Sequence, residues 1–549
     1  MLPRCLIPIF KGLTSIFVIT NLRNFCFIKP IFRMSDIQSK ELEWTGRLFG
    51  GIKDDIRRKA PHFLSDFKDG LHSKVAGTTL FLFFAALANA IAFGALTGLL
   101  TGNEIGIIEM LVVTAIGGIL FALFSGQPLT ILGGTGPIVI FTGLLYTTCH
   151  QLGIPFLATY AWVGIWSGIL LLICAFTDAS ALMKHFTRFT DEIFAALVSV
   201  IFIIEAITNT VKEFRPEGFG LSSAFLSVIL ALGTFILARN LKNTTTTPFL
   251  SVGFRNILSD FGPALAIIAM TAFALFFPTV PLSTPKVPEN IGTTSGRPWL
   301  VDLFSVPTWV IFASLGPAIL ATILLFLDQN ITTRLVNSKD YRLKKGSGYH
   351  LDLAIVGIVV VAGSFFSLPW IVAATVHSLN HVKSLADTKV VDIGGNTKKE
   401  VITGVRENRL SALVIHLLIA ASLFLLNYFA YIPMPVLFGL FLYMGLASLT
   451  GNQFFERTML WITDPKLYPK TKYTEVVPHK WIHKFTLIQL VCFAILWLLK
   501  ASKLGILFPL MIAALVPIGI YIKRFFPPEY MNALVAEEDE EKDDRHVLD

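Results

Sequence analysis

The chain has 549 residues and a formal net charge of +8, and is 54% hydrophobic but only 15% charged, with a mean hydropathy of +0.67. Repeated apolar runs too long for a globular core exclude a soluble domain and indicate a polytopic helical membrane protein. The positive charge does not point to nucleic acid: basic residues of membrane proteins collect in cytoplasmic loops, and no nucleic-acid-reading motif occurs.

The first 33 residues carry Arg4, Lys11, Arg23, Lys29 and Arg33 in an apolar stretch with no acid before Asp36. This fits a targeting or membrane-surface segment, or an extension ahead of a protein that starts at Met34. Hydropathy then places spans near 75–99, 106–124, 129–148, 155–176, 191–211, 221–238, 261–278, 309–328, 351–367, 371–382, 409–427, 434–449, 485–500 and 504–522, about 14 segments in all. The acidic tail Ala536–Asp549 should be disordered. Cys5, Cys26, Cys149, Cys174 and Cys492 form no CxxC pair and have no His at ligand spacing, so neither a metal nor a disulfide framework is expected.

Lys and Arg fall mainly after even-numbered spans: Lys184 and Arg188; Arg239, Lys242 and Arg255; Arg334, Lys339, Arg342, Lys344 and Lys345; Lys383, Lys398, Lys399, Arg406 and Arg409; and the stretch Arg457–Lys484. The positive-inside rule then places both termini in the cytoplasm, as an even number of spans requires.

Two segments do not read as full-length helices. The third begins SGQPLTILGGTGPIVIF (Ser125–Phe141), with Pro128, Gly133, Gly134, Gly136 and Pro137 in its first half. The tenth begins SLPWIVAATVHSL (Ser367–Leu379), with Pro369 at its mouth. Pro and Gly there favour extended backbone leading into a half-helix. Such backbone is tolerated at membrane depth only where it is buried in protein or lines a cavity. The two breaks hold matching places in two sets of seven spans, the pattern of an inverted-repeat transporter's binding site.

The eighth span, TWVIFASLGPAILATILLFLD, ends on Asp328, and Thr332 follows one turn later on the same helix face. A carboxylate at membrane depth is costly and normally faces a protein cavity or ion path. Carboxylate and hydroxyl oxygens together are hard-ligand chemistry suited to Na⁺ or a proton. No nucleophile–base pair, metal cluster or phosphate loop points to an enzyme, and no bound cofactor is expected.

At these residues the chain resembles the bicarbonate-transporter family of anion exchangers and sodium–bicarbonate cotransporters. The resemblance is carried by GGIKDDIRRKAPHFLSDFKDGL (50–71), SGQPLTILGGTGP (125–137), WVGIWSGILLLICAFTDAS (162–180), FTRFTDEIF (186–194), LFLDQNITT (325–333), LKKGSGYHLDL (343–353), SLPWIVAATVHSLNHVKSL (367–385), TGVRENRLSAL (403–413) and PVLFGLFLYMG (435–445). It covers about Gly50 to Pro527; the large N-terminal soluble domain of animal members is not in the sequence.

The resemblance implies an all-α fold of 14 segments in two inverted seven-segment repeats, divided into core and gate domains, with half-helices at segments 3 and 10. The expected organisation is an N-terminal segment 1–73, a first repeat 74–282, an extracellular loop 283–308, a second repeat 309–523 and an acidic cytoplasmic tail 524–549. It places anion contacts at Gly133, Gly134, Thr135, Ala373, Ala374, Thr375 and His377, where helix N-termini offer unpaired N–H groups and positive dipole ends. Sodium-coupled members carry Asp in a DQxIT setting like Asp328–Thr332, so Asp328 and Thr332, with backbone near Ala374, are the implied Na⁺ ligands. His377 stands where exchangers carry Arg and cotransporters an apolar residue, which leaves the coupling mode open. The expected activity is bicarbonate or carbonate transport coupled to Na⁺, by a plasma-membrane homodimer. The alternatives are Na⁺-independent chloride–bicarbonate exchange and a borate or proton carrier of the same fold.

Overall fold

The computed structural model describes residues 42–535 apart from 186–187, 216–217, 289–291, 393–397, 470 and 503. The expectations for the first 33 residues and for the tail from Ala536 lie outside the described residues. An amphipathic helix α1 (Gly50–Lys59) precedes α2 (Ser73–Leu100), α3 (Ile107–Phe124), the two-residue strand β1 (Leu132–Gly133), α4 (Gly136–Leu152) and α5 (Phe156–Phe176). Then come α6 (Arg188–Lys212), α7 (Leu221–Lys242) and α8 (Val252–Ala274). The second half runs through α9 (Leu315–Val336), α10 (Tyr349–Ser364), β2 (Val372–Ala373), α11 (Thr375–Leu385), a hairpin β3 (Ala386–Asp392) and β4 (Lys398–Val405), and α12 (Leu410–Ser422). It closes with α13 (Met434–Leu449), α14 (Gln453–Met459), α15 (His479–Ala501) and α16 (Phe508–Ile522).

The protein is an all-α polytopic membrane protein. Among the described residues, 10 helices are long and apolar enough to cross a membrane, or 11 if α13 and α14, bent by 82°, form one span. The other three expected segments correspond to helices of 17, 16 and 11 residues at α4, α10 and α11. At 1.5 Å per residue they are shorter than the hydrocarbon thickness; ahead of α4 and α11 the chain runs instead as the extended strands β1 and β2. The hairpin after α11 has no counterpart in the hydropathy reading, which registers only apolar runs.

Local chemistry sets the helix ends. Gly153 adopts φ 64° after α4, and Ile154 N–H returns to the Cys149 carbonyl, a left-handed stop that Gly accepts without strain. Ser251 caps α8 by accepting the Phe254 N–H.

The helices pack as two groups. In one, α5 packs on α9 and α10, α12 on α2 and α3, and α2 on α3, α4 and α11. In the other, α13 packs on α6 and α7, α7 on α8, and α15 and α16 on α6. The groups meet where α2 touches α8 and α13, where α4 touches α6, and where α9 touches α16. Phe93 on α2, Phe202 on α6 and Phe441 on α13 bring three rings together at this boundary, with centroids 5.6 to 6.0 Å apart. Arg334 of α9 pairs with Asp191 of α6 across the same boundary.

One end of the bundle holds a buried ionic network. Asp55 Oδ2 accepts the N–H groups of His350 and Leu351 at 2.9 and 3.0 Å, so α1 caps α10 from outside. The structure thus anchors α10 through the His350 backbone. Lys345 Nζ binds Asp66 and Asp69 at 2.6 and 2.7 Å, and Arg409 binds Asp66 at 3.1 Å and the Ser125 carbonyl at 2.7 Å. Glu205 stays within the second group, 3.6 Å from Lys500.

Candidate functional site

The two interrupted segments meet. Strands β1 and β2 pair antiparallel, Leu132 opposite Ala373 and Gly133 opposite Val372. Antiparallel pairing sends α4 and α11 away in opposite directions from one crossing, so their N-terminal turns start beside it. Each N-terminal turn carries N–H groups without intrahelical partners and a positive dipole end, an arrangement that suits an anion. Pro137, in the first turn of α4, removes one of those donors, and the adjacent Gly136 lets Phe202 of α6 approach. A β-carbon on Gly136 would lie 2.4 Å from the Phe202 ring.

Extended backbone inside an apolar bundle needs partners for every polar group, and the second half supplies most of them here. Ile131 N–H donates to Ser378 Oγ at 3.0 Å, and the Ile131 carbonyl accepts Ala374 N–H at 2.8 Å. The Leu129 carbonyl lies 2.8 Å from His381 Nδ1, and the Leu132 carbonyl 3.4 Å from His416 Nε2. Gly126 and Gln127 N–H both donate to Asp352 Oδ1, at 2.7 and 3.0 Å. On the other strand, Ala373 N–H donates to Gln329 Oε1 at 3.0 Å. From the first half, Asn89 Nδ2 donates to the Gly134 carbonyl at 3.3 Å.

The acid of the eighth span reaches this crossing. Thr135, the residue before α4, donates its hydroxyl to Asp328 Oδ2 at 2.6 Å. One turn after Asp328, Thr332 Oγ1 lies 2.6 Å from Thr375 Oγ1, at the start of α11, and 3.3 Å from the Ala373 carbonyl it donates to. Asp328 is 7% exposed and Thr332 fully buried. Carboxylate, hydroxyl and carbonyl oxygens therefore gather where both broken segments begin, the donor chemistry of a hard cation such as Na⁺.

Of the sequence-predicted residues, the structure brings together Gly133, Gly134, Thr135, Ala373, Ala374, Thr375, Asp328 and Thr332. The structure adds two details to these expectations. The carbonyl that meets Thr332 belongs to Ala373, whereas Ala374 uses its N–H to bind Ile131. His377 sits in the first turn of α11 with its ring against the Ala85 backbone of α2. Sequence reasoning missed Gln329, Asn89, Ser378 and His416. Asn89 and His416 are polar residues inside apolar runs, the signal that marks them; Gln329 and Ser378 lie in stretches already polar and carry no such signal.

The sequence matches the family described as the HCO3⁻ transporter integral membrane domain over residues 47–221 and 218–539. Among curated proteins it is 38% identical to a sodium-driven chloride bicarbonate exchanger of Bos taurus, over 87% of this chain and 49% of that protein. It is 37% identical to electrogenic sodium bicarbonate cotransporter 1 of Ambystoma tigrinum, over 91% of this chain and 56% of that protein. The chain thus spans about half the length of these relatives. Among solved structures, its fold is similar to the transmembrane domain of the cyanobacterial bicarbonate transporter BicA, with a TM-score of 0.53 at 15% identity, covering 77% of this chain and 97% of that one. It is likewise similar to murine Slc26a9 in the inward-facing state, with a TM-score of 0.55 at 13% identity, covering 84% of this chain and 71% of that one.

Proposed function

The chain belongs to the bicarbonate-transporter family, and from that premise we propose that it carries bicarbonate or carbonate across a membrane, coupled to Na⁺, by alternating access. Gly133, Gly134, Thr135, Ala373, Ala374, Thr375 and His377 form the anion side of the site in this reading. Asp328 and Thr332, with backbone at Ala373 and Ala374, form the cation side. The observation that carries the reading is the Thr135–Asp328 hydrogen bond, because it joins the anion-binding turn of one half to the acid of the other. An ionised Asp328 alone repels an incoming anion; a cation on its oxygens removes that repulsion. Each ion then raises the other's affinity, and by linkage the effect is reciprocal.

The group containing Asp328 and both broken segments moves as a near-rigid body against the group containing α6 and α13, exposing the site to each side in turn. The protein acts as a homodimer in the plasma membrane with both termini cytoplasmic.

Recovery of intracellular pH in CO2/bicarbonate, with and without Na⁺, tests the coupling. The parent recovers only with Na⁺, and Asp328→Asn loses that dependence. Equal recovery in all four conditions overturns Na⁺ coupling through Asp328. Chloride replacement and boron uptake separate the two alternatives: recovery that needs internal chloride but no Na⁺ identifies an exchanger, and boron accumulation a borate carrier.

A further inference from the structure

His416 stands behind the anion site and takes no part in the mechanism above. It lies on α12 and is 1% exposed, with its ring lodged against α3 at Gly118. A β-carbon built on Gly118 would lie 1.8 Å from His416 Cδ2, so the absence of a side chain there makes the notch that holds the imidazole. Both ring nitrogens point at backbone carbonyls: Nδ1 at Ala412, 2.7 Å away, and Nε2 at Leu132, 3.4 Å away. Leu132 belongs to β1, immediately before Gly133, Gly134 and Thr135.

A neutral imidazole has one N–H and an imidazolium has two. With the proton of the neutral ring on Nδ1 for Ala412, Nε2 turns a lone pair toward the Leu132 oxygen and the two repel. Only the cationic ring satisfies both carbonyls. Burial opposes that charge, and an anion bound at the end of the same strand favours it.

The charged and titratable groups on the elements around the ring are engaged elsewhere. Arg409, at the start of α12, binds Asp66. On α3, Glu109 accepts the Gly106 and Thr294 N–H groups. On α2, Lys74 pairs with Asp387, and on α10, Asp352 holds Gly126 and Gln127. His381 is the titratable group within electrostatic reach; its nitrogens meet the Leu129 carbonyl and Ser411 Oγ.

We propose that His416 is a proton-binding positioning residue of the anion site, taking a proton from solution when the substrate anion binds and, as an imidazolium, holding β1 through the Leu132 carbonyl. The inference rests on the anion site proposed above. Proton and anion each strengthen the binding of the other, so apparent anion affinity rises as pH falls through the histidine range.

The test is a thermal-shift titration of the purified full chain with bicarbonate in Na⁺ buffer, at pH values from about 7.5 down to about 6. Bicarbonate is held constant by adjusting CO2, and apparent affinity is read from ligand stabilisation. The parent should bind roughly three- to tenfold more tightly at the acid end, within the roughly thirtyfold that one linked proton allows over this span of pH. His416→Phe, which removes both donors, should bind weakly with no pH dependence. His416→Gln, which can donate to Leu132 without titrating, should recover much of the affinity and stay flat.

A pH-independent parent, an affinity that weakens on acidification, or the same pH dependence in parent and variants overturns the proposal. No stabilisation by bicarbonate at any pH overturns the anion site itself, a distinct outcome. Should the variants fail to fold, ¹⁵N-histidine spectra of the parent decide: an imidazolium signal appears on adding bicarbonate, or its absence overturns the assignment.

Discussion

Thr135 and Asp328, 193 positions apart in sequence, share a hydrogen bond of 2.6 Å. The hydroxyl stands before the first helical turn after β1, and the carboxylate lies within the eighth span. A proton donor for the acid is thus attached to the backbone turn proposed to receive the anion.

Removing that hydroxyl should uncouple the ions rather than unfold the protein. Thr135→Val keeps the shape but leaves the buried carboxylate one donor short, at a cost of about 1–3 kcal/mol in the interactions of the site. The expected outcome is an increase of about tenfold or more in the Na⁺ concentration for half-maximal transport, with folding retained. Flux measurements over a Na⁺ series check it, and an unchanged Na⁺ requirement contradicts it.

Gly136 addresses movement rather than binding. A methyl group there would meet the Phe202 ring at 2.4 Å, across the boundary between the two helix groups. Overpacking of this kind costs about 1–3 kcal/mol. Gly136→Ala is expected to lower the maximal transport rate about tenfold or more while substrate concentration dependence changes little, because the groups no longer fit in one arrangement. Combining it with Phe202→Leu should restore part of the rate; failure to do so would place the cause elsewhere.

The pH dependence of stability has a source outside the spans. Burial pushes the Asp55 carboxyl up to about 7, against the opposing effect of the Arg58 guanidinium. A group whose folded pKa is raised contributes stability that is fully present below its unfolded value and lost as pH rises through the folded one. The Asp55 contribution therefore falls as pH climbs from about 4 to about 7. Asp55→Asn, which still offers an oxygen to His350 and Leu351, should flatten the melting temperature against pH across that window. An identical slope in the variant would exclude Asp55 as the source.

Arg457 is the clearest stability test. It is fully buried, pairs with Glu192, and donates to Gln453 and Gln489 at 3.0 and 2.9 Å. Arg457→Met removes one of the two cations on the buried Glu192, leaving Arg188 and Gln489, each at 3.0 Å, and should cost up to about 3–5 kcal/mol, because breaking a buried pair leaves the carboxylate poorly compensated. Adding Glu192→Gln should recover much of the lost thermal stability, measured as the melting temperature in detergent.

Sequence alone determined that this chain is an α-helical membrane protein of its family, because apolar run length and Pro/Gly placement are local properties that a bilayer reads directly. The breaks at Ser125–Phe141 and Ser367–Leu379 and the acid at Asp328 were equally legible, since each departs from an apolar background. Only the tertiary structure decided what these breaks touch. The pairing of Leu132 with Ala373, the hydroxyl that reaches Asp328 and the carbonyls that face His416 depend on how helices from opposite halves pack. Hydrogen bonds between residues hundreds of positions apart leave no periodicity in the chain, so their partners emerge only when the bundle closes and each buried polar group must find one.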